Sequence, residues 1–173
     1  LAFGYAGSYK GFDVLGSLAL PDGWSLVVKQ TRHERGLEKP IEIGNNNGEN
    51  VISLNLGYLD DSSMSKLFFA CDAIIFPYKI VSVSGVMFDA LAHGLPFIAT
   101  NLEFFKEFSQ KGLGITVNRS PDEFSKALVT LDRDYMKYIK TVESFRKEIS
   151  WQAIASQHAQ IYTQIIKKSM IAV

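Results

Sequence analysis

The chain has 173 residues, 47% hydrophobic and 12% aromatic, with 18 basic and 18 acidic side chains. That length describes one domain able to bury roughly 70% of its extended-chain surface, and a net charge of zero offers no general field to nucleic acid or an acidic membrane. A single cysteine, Cys71, excludes an internal disulfide and suits a reducing compartment, and no apolar run reaches the ~18 residues of a membrane span.

The chain opens with Leu1, not Met, directly on a strand-like run. This suggests a piece of a longer protein. No repeat, low-complexity segment or linker breaks residues 1–173, so they are read as a single domain.

Leu1–Ala6 reads as a first buried strand, closed by Gly7-Ser8. Phe12–Leu20 follows as a short amphipathic helix with Val14, Leu15 and Leu18 as its apolar stripe. Pro21-Asp22-Gly23 is a turn, because Pro presets φ and Gly permits φ > 0. Trp24–Val28 is the second strand. Thr31–Asn50 is polar and irregular, with Arg32, His33, Arg35 and Lys39 in one group and Asn45-Asn46-Asn47-Gly48 in another, and is expected to be a mobile loop. Its basic group reads as a solvated surface.

Val51–Leu56 is the third strand. Asp60-Asp61-Ser62-Ser63 opens a helix to Ala70, with acidic residues at the positive end of its dipole. Helix-start chemistry accounts for the two aspartates, and no third metal ligand lies nearby.

The organising stretch runs from Asp72 to Thr100. Ala73–Phe76 and Pro96–Ala99 are short apolar runs suited to strands buried on both faces. Between them lie a loop, Pro77–Val83, and a helix over Ser84–His93 with Ser84 as N-cap. Gly94 and Pro96 stop it. Strand, loop, helix, strand is a parallel crossover unit, and such sheets bind ligands at the carboxyl ends of their strands.

Gly85, Asp89 and His93 recur at i, i+4 and i+8 and share one helical face. The first-turn amides, around Gly85, Val86 and Met87, lack partners inside the helix and suit a phosphate. Asp89 follows about 6 Å further along the axis, at 1.5 Å per residue, where a ribose joined to that phosphate would lie. An ordinary crossover helix, with Asp89 solvated and Ser84 merely capping, fits these residues equally well.

Beyond this unit come a helix near Asn101–Gln110, a strand near Gly114–Val117, and the start signal Ser120-Pro121-Asp122-Glu123. Two C-terminal helices follow, about Arg133–Glu148 and Ser150–Lys168. The alternation predicts an α/β fold with a mostly parallel, doubly wound sheet of about six strands. His33, His93 and His158 lie far apart without metal spacing. No P-loop and no G-x-G-x-x-G is present.

Four motifs in register resemble a known family. Phe3-Gly4 with Tyr9-Lys10-Gly11-Phe12-Asp13-Val14-Leu15 resembles the opening of the donor-binding domain of glycosyltransferase family four, also called group 1. Ala70-Cys71-Asp72-Ala73-Ile74-Ile75-Phe76-Pro77-Tyr78 is similar to its second motif. Ser84–Ala92 followed by Gly94–Thr100 is similar to its central motif, and Ser150-Trp151 with Tyr162 to its closing one.

The resemblance implies the C-terminal, Rossmann-like half of a GT-B glycosyltransferase, with the N-terminal acceptor domain absent. It implies a retaining, metal-independent hexosyltransferase-like enzyme of polysaccharide or glycoconjugate biosynthesis. Such an enzyme is cytoplasmic or peripheral at the inner membrane face. A nucleotide-diphospho-sugar is its substrate, and no cofactor or metal is implied. By the same resemblance Lys10 and the amides of Gly85 and Val86 meet the diphosphate, Asp89 holds the ribose and Ser84 is counted with them at the donor, while no catalytic residue is assigned. The pattern departs at Val81, where a glutamate at the donor sugar is usual, and at Tyr5, where an arginine is common. Two other readings stay open: a sugar-nucleotide epimerase with Asp89 or His93 at the sugar, and a non-catalytic interaction module. The chain alone is expected to transfer no sugar.

Overall fold

The computed structural model describes residues 1–32, 40, 42–43, 50–54 and 57–171. The expected basic group at His33, Arg35 and Lys39 and the asparagine run at 45–47 lie outside these residues, as do the last two of the third strand as read from the sequence.

Six strands form: β1 (Ala2–Tyr5), β2 (Ser25–Thr31), β3 (Asn50–Leu54), β4 (Ile74–Phe76), β5 (Phe97–Thr100) and β6 (Gly114–Val117). Two three-stranded sheets, in the orders β1-β2-β3 and β4-β5-β6, have parallel pairing throughout. Leu1 joins them. Its amino nitrogen donates to the Ala73 carbonyl at 2.8 Å, and the Ile75 N–H donates to the Leu1 carbonyl at 2.8 Å. That alternation is the parallel ladder pattern, so the six strands run on in the order 3-2-1-4-5-6. The chain reverses direction across the sheet between β1 and β4, which makes that boundary the switch point where ligands bind.

The helices are α1 (Asp61–Phe69), α2 (Gly85–Ala92), α3 (Glu103–Gln110), α4 (Pro121–Arg133), α5 (Tyr135–Glu148) and α6 (Trp151–Ile171). Side chains alternate along β4: Ile74 and Phe76 join a core with Phe68, Met87, Leu91, Phe105 and Val142, while Ala73 and Ile75 join another with Phe12, Leu15, Phe124 and Leu128. The sheet is therefore covered on both faces, which is why its central strands read as unbroken apolar runs.

Local signals set the helix ends. Asp60 accepts from the Ser63 N–H at 2.8 Å, Ser84 from the Met87 N–H at 3.3 Å and Ser120 from the Glu123 N–H at 3.3 Å. Gly94, at φ +90°, follows α2 in the left-handed region, and the Leu95 N–H closes on the Ala90 carbonyl at 2.9 Å.

The segment expected as a helix over Phe12–Leu20 is a 3₁₀ helix over Phe12–Ser17, preceded by another over Ser8–Lys10. Gly11 between them sits at φ +67° and ends the first, and the second runs only six residues, so neither stretch is long enough for a stable α-turn series. α6 packs chiefly on α5 and exposes Trp151, Ile161, Tyr162 and Ile166.

Candidate functional site

The carboxyl edge at the switch point is built from three loops. The first follows β1 and carries Tyr9, Lys10 and Gly11. A Cβ at Gly11 would lie 1.9 Å from the Pro77 carbonyl oxygen, so only glycine allows this loop to rest on the one after β4. The Lys79 N–H donates to the Tyr9 carbonyl at 2.8 Å. From the third loop, after β6, Arg119 donates to the carbonyls of Pro77 at 3.0 Å and Gly11 at 3.1 Å, and to Asp13 at 2.5 Å. These bonds fix Lys10 against Tyr78.

Lys10 is buried, with 8% of its surface exposed. Its Nζ donates to the Tyr78 hydroxyl at 2.5 Å and stands 4.0 Å from that ring's centroid, with the Tyr9 ring at 5.3 Å. Gly4, at φ +148°, makes room for the stem: a Cβ there would lie 3.3 Å from Lys10 Cε. Among the described residues no carboxylate forms an ion pair with Lys10. Burial without a counter-charge lowers its ammonium from the ordinary value to about 8.

Lys10 forms the wall between two clefts. One, of about 220 Å³, is lined by Gly4, Tyr5, Thr31, Tyr58, Val86 and Asp89 among others. The second, of about 400 Å³, is lined by Tyr9, Tyr78 and the Ile80–Val83 loop. A larger cleft of about 700 Å³ continues from that loop along α3, past Glu103, Phe104 and Glu107. Burial pushes the Asp89 carboxyl above its usual range, with His93 opposing the shift.

Of the five residues expected at a ligand, the fold brings Lys10, Val86 and Asp89 around one cleft. Gly85 is exposed at the α2 N-terminus, with nothing within 4 Å of the place a Cβ would take, so the approach to the backbone is open. Ser84 is buried, lines neither cleft and serves as N-cap. One expectation is corrected. The Met87 amide counted as free is taken by Ser84 Oγ, because the cap reaches the third position of the turn. The open amides are those of Gly85 and Val86.

His93 is committed elsewhere. Its Nδ1 meets the Asp89 carbonyl at 2.7 Å, its Nε2 meets Ser65 Oγ at 3.0 Å, and Phe68 and Phe69 enclose the ring. Val81 does line the second cleft and Tyr5 the first, where the Tyr5 and Tyr58 hydroxyls are hydrogen-bonded. Among the described residues no three His, Cys, Asp or Glu side chains are grouped as metal ligands, and no helix is long and apolar enough to cross a membrane.

The family described as Glycosyl transferases group 1 matches residues 27–134. The chain belongs to this family. Solved structures agree on the fold of this glycosyl transferase chain. The Anabaena protein HepE, solved in complex with UDP, is 20% identical with a TM-score of 0.62, over 99% of this chain and 48% of that one. Sucrose-phosphate synthase from Thermosynechococcus elongatus is 18% identical with a TM-score of 0.68, over 96% of this chain and 45% of that one. The C-terminal domain of the group 1 glycosyl transferase LpcC from Francisella tularensis is 18% identical with a TM-score of 0.63, over 82% and 78%. The glycosyl transferase chain thus spans about half the length of the first two. Its fold is the Rossmann-like one of GT-B glycosyltransferases. A search of curated protein sequences finds no match.

Sequence reasoning assigned no role to Tyr78 or Arg119. Tyr78 carried a signal, since an aromatic residue directly after β4 and Pro77 must sit at the carboxyl edge. Arg119 carried none: its partners lie 42 and 108 residues away.

Proposed function

We propose that this chain is the donor-binding half of a retaining, metal-independent glycosyltransferase acting in polysaccharide or glycoconjugate biosynthesis. Its substrate is a nucleotide-diphospho-sugar, and it needs no cofactor. The observation that carries this reading is Lys10: a buried ammonium that, among the described residues, has no carboxylate partner and faces the same cleft as Val86 of the first α2 turn and Asp89. Such a cation is costly unless an anion completes it. The diphosphate lies on Lys10 and the amides of Gly85 and Val86, and the ribose hydroxyls meet Asp89. HepE has also been solved with UDP-glucose, which supports a nucleotide-sugar of the hexose type here.

The chemistry follows from charge. As the bond from the anomeric carbon to the diphosphate oxygen breaks, negative charge grows on the leaving group. The Lys10 ammonium and the two amides face that charge and stabilise it. The sugar extends toward Val81, which supplies neither acid, base nor ion pair. The acceptor and its facing groups belong to a second, N-terminal domain of a cytoplasmic or membrane-peripheral enzyme. Of the two candidates of the epimerase reading, His93 has both nitrogens engaged away from either cleft, which leaves Asp89 alone, the residue placed here at the ribose.

Calorimetric titration of UDP, GDP, ADP and dTDP, each with EDTA and with Mg²⁺, tests the reading. One of them binds with equal affinity in both conditions. Binding seen only with the metal, or none at all, refutes it.

A further inference from the structure

A nucleotide-diphospho-sugar carries its nucleoside and its sugar at opposite ends of the diphosphate, and Lys10 stands between two clefts. Val86 and Asp89 lie on one side of that wall. A phosphate on the ammonium therefore sends the sugar to the other side, into the cleft of about 400 Å³. Tyr9, Lys10, Tyr78 and residues 80–83 line it. The Tyr78 hydroxyl is buried and accepts from Lys10 Nζ, so among the described lining residues Tyr9 and Ser82 carry the polar side chains that a sugar can reach. The rest of the wall is aliphatic. Val81 packs on the core that contains Tyr78 and Phe105 and seats the loop, while Ile80 and Val83 are 69% and 65% exposed.

The charged side chains of the neighbouring cleft along α3 are already paired: Lys79 with Asp13 at 3.6 Å, Lys106 with Glu103 at 2.7 Å and Glu107 with Lys111 at 3.4 Å. The sugar meets the aliphatic loop first. Such a wall gains from apolar surface laid on it, and it gives no bond to a hydroxyl that has been turned away from water.

We infer that the donor sugar is a hexose bearing a methyl group, on a deoxy carbon or in an N-acyl substituent, and that Ile80 and Val83 select it. The methyl lies on these two side chains and takes apolar area out of water on both partners. The ring hydroxyls face Tyr9, Ser82 and the open side of the cleft, where they keep their hydrogen bonds. A hydroxyl in place of the methyl would lose water without finding a partner.

This depends on reading the edge as a diphosphate site, and the test separates the two. UDP, GDP, ADP and dTDP are titrated into the 173-residue chain, and the tightest is compared with its esters of glucose, 6-deoxyglucose and N-acetylglucosamine. A methyl-bearing ester binds about fourfold or more tighter than the glucose ester, the factor for one methyl-sized group removed from water. Which of the two does so tells the deoxy carbon from the N-acyl group. Ile80→Ser and Val83→Ser replace exposed side chains, and the double variant removes the preference. The free diphosphate gives the reference affinity within each protein.

Diphosphate binding with no preference for either methyl-bearing ester overturns the inference and leaves the diphosphate site standing. A preference that survives in the double variant does the same. No diphosphate binding at all overturns both.

Discussion

Arg119 donates to the carbonyl oxygen of Gly11 at 3.1 Å across 108 residues of sequence. The same guanidinium holds the Pro77 carbonyl and Asp13, so one planar fork clamps the loop after β1 to the loop after β4. Lys10 is the residue next to one end of this clamp, and Tyr78 is next to the other.

Removing the fork should therefore loosen the site as well as the fold. Arg119→Ala is expected to cost about 1.5–3 kcal/mol, the range for hydrogen bonds to a charged group, because the Gly11 and Pro77 carbonyls lose their donor. Arg119→Lys recovers less than half, since an ammonium cannot reproduce the fork. Urea unfolding of the three proteins checks the order.

Gly11→Ala tests the contact beneath that clamp. A left-handed conformation costs a non-glycine residue about 1–2 kcal/mol, and here the new methyl would also collide with the Pro77 carbonyl. A loss of at least about 2 kcal/mol is expected, which lowers the melting temperature by roughly 4–8 °C for a chain of this size. A Gly23→Ala control shares the positive φ but has nothing within 4 Å, and should lose less.

Lys10 makes binding and stability depend on pH in opposite directions. Burial lowers its ammonium to about 8 in the free protein, and an anionic ligand raises it again. Diphosphate affinity is full below that value and falls as pH rises above it, with proton uptake on binding. Calorimetry in two buffers of different ionisation enthalpy measures that uptake. For stability the sign is reversed. Between about 8 and the model-peptide value of 10.5 the unfolded chain holds more protons than the folded one, so this group's contribution rises with pH. Lys10→Ala should remove both trends and weaken diphosphate binding by roughly 1.5–3 kcal/mol.

Asp89→Asn addresses the other end of the cleft. Its proposed partner is the ribose, so it should weaken the nucleoside and the nucleoside diphosphate by a similar factor, whereas Lys10→Ala weakens only the diphosphate. Competition binding with both ligands separates the two patterns. Equal affinity in all three proteins contradicts both assignments.

The 173-residue chain should bind donor without transferring sugar. Transfer needs the anomeric carbon held against an acceptor hydroxyl in a water-poor cleft, and both clefts beside Lys10 are open along one edge of the sheet. The expected result is donor binding with no turnover beside a full-length protein that turns over. Comparable rates in both would remove the need for a second domain.

Elements and their order were legible in the sequence because the signals for them are local. Ser84, Ser120-Pro121 and Gly94 mark helix ends through bonds that span three to five residues, and the apolar run Ala73–Phe76 declares a strand covered on both faces. Lys10, Val86 and Asp89 were marked as site candidates by the resemblance in register, and the fold brings all three around one cleft. The Met87 amide was misread where two local rules compete, a free first turn and a cap that reaches into it. Strand order, and with it the switch point, was set by Leu1 bonding to Ala73 and Ile75, more than seventy residues away. Only the tertiary structure showed Lys10 without a carboxylate partner among the described residues, Tyr78 as its acceptor, His93 drawn off to Ser65, and Arg119 closing the loops. Those facts depend on which distant groups come within about 3 Å after folding, and periodicity and capping carry no information on that.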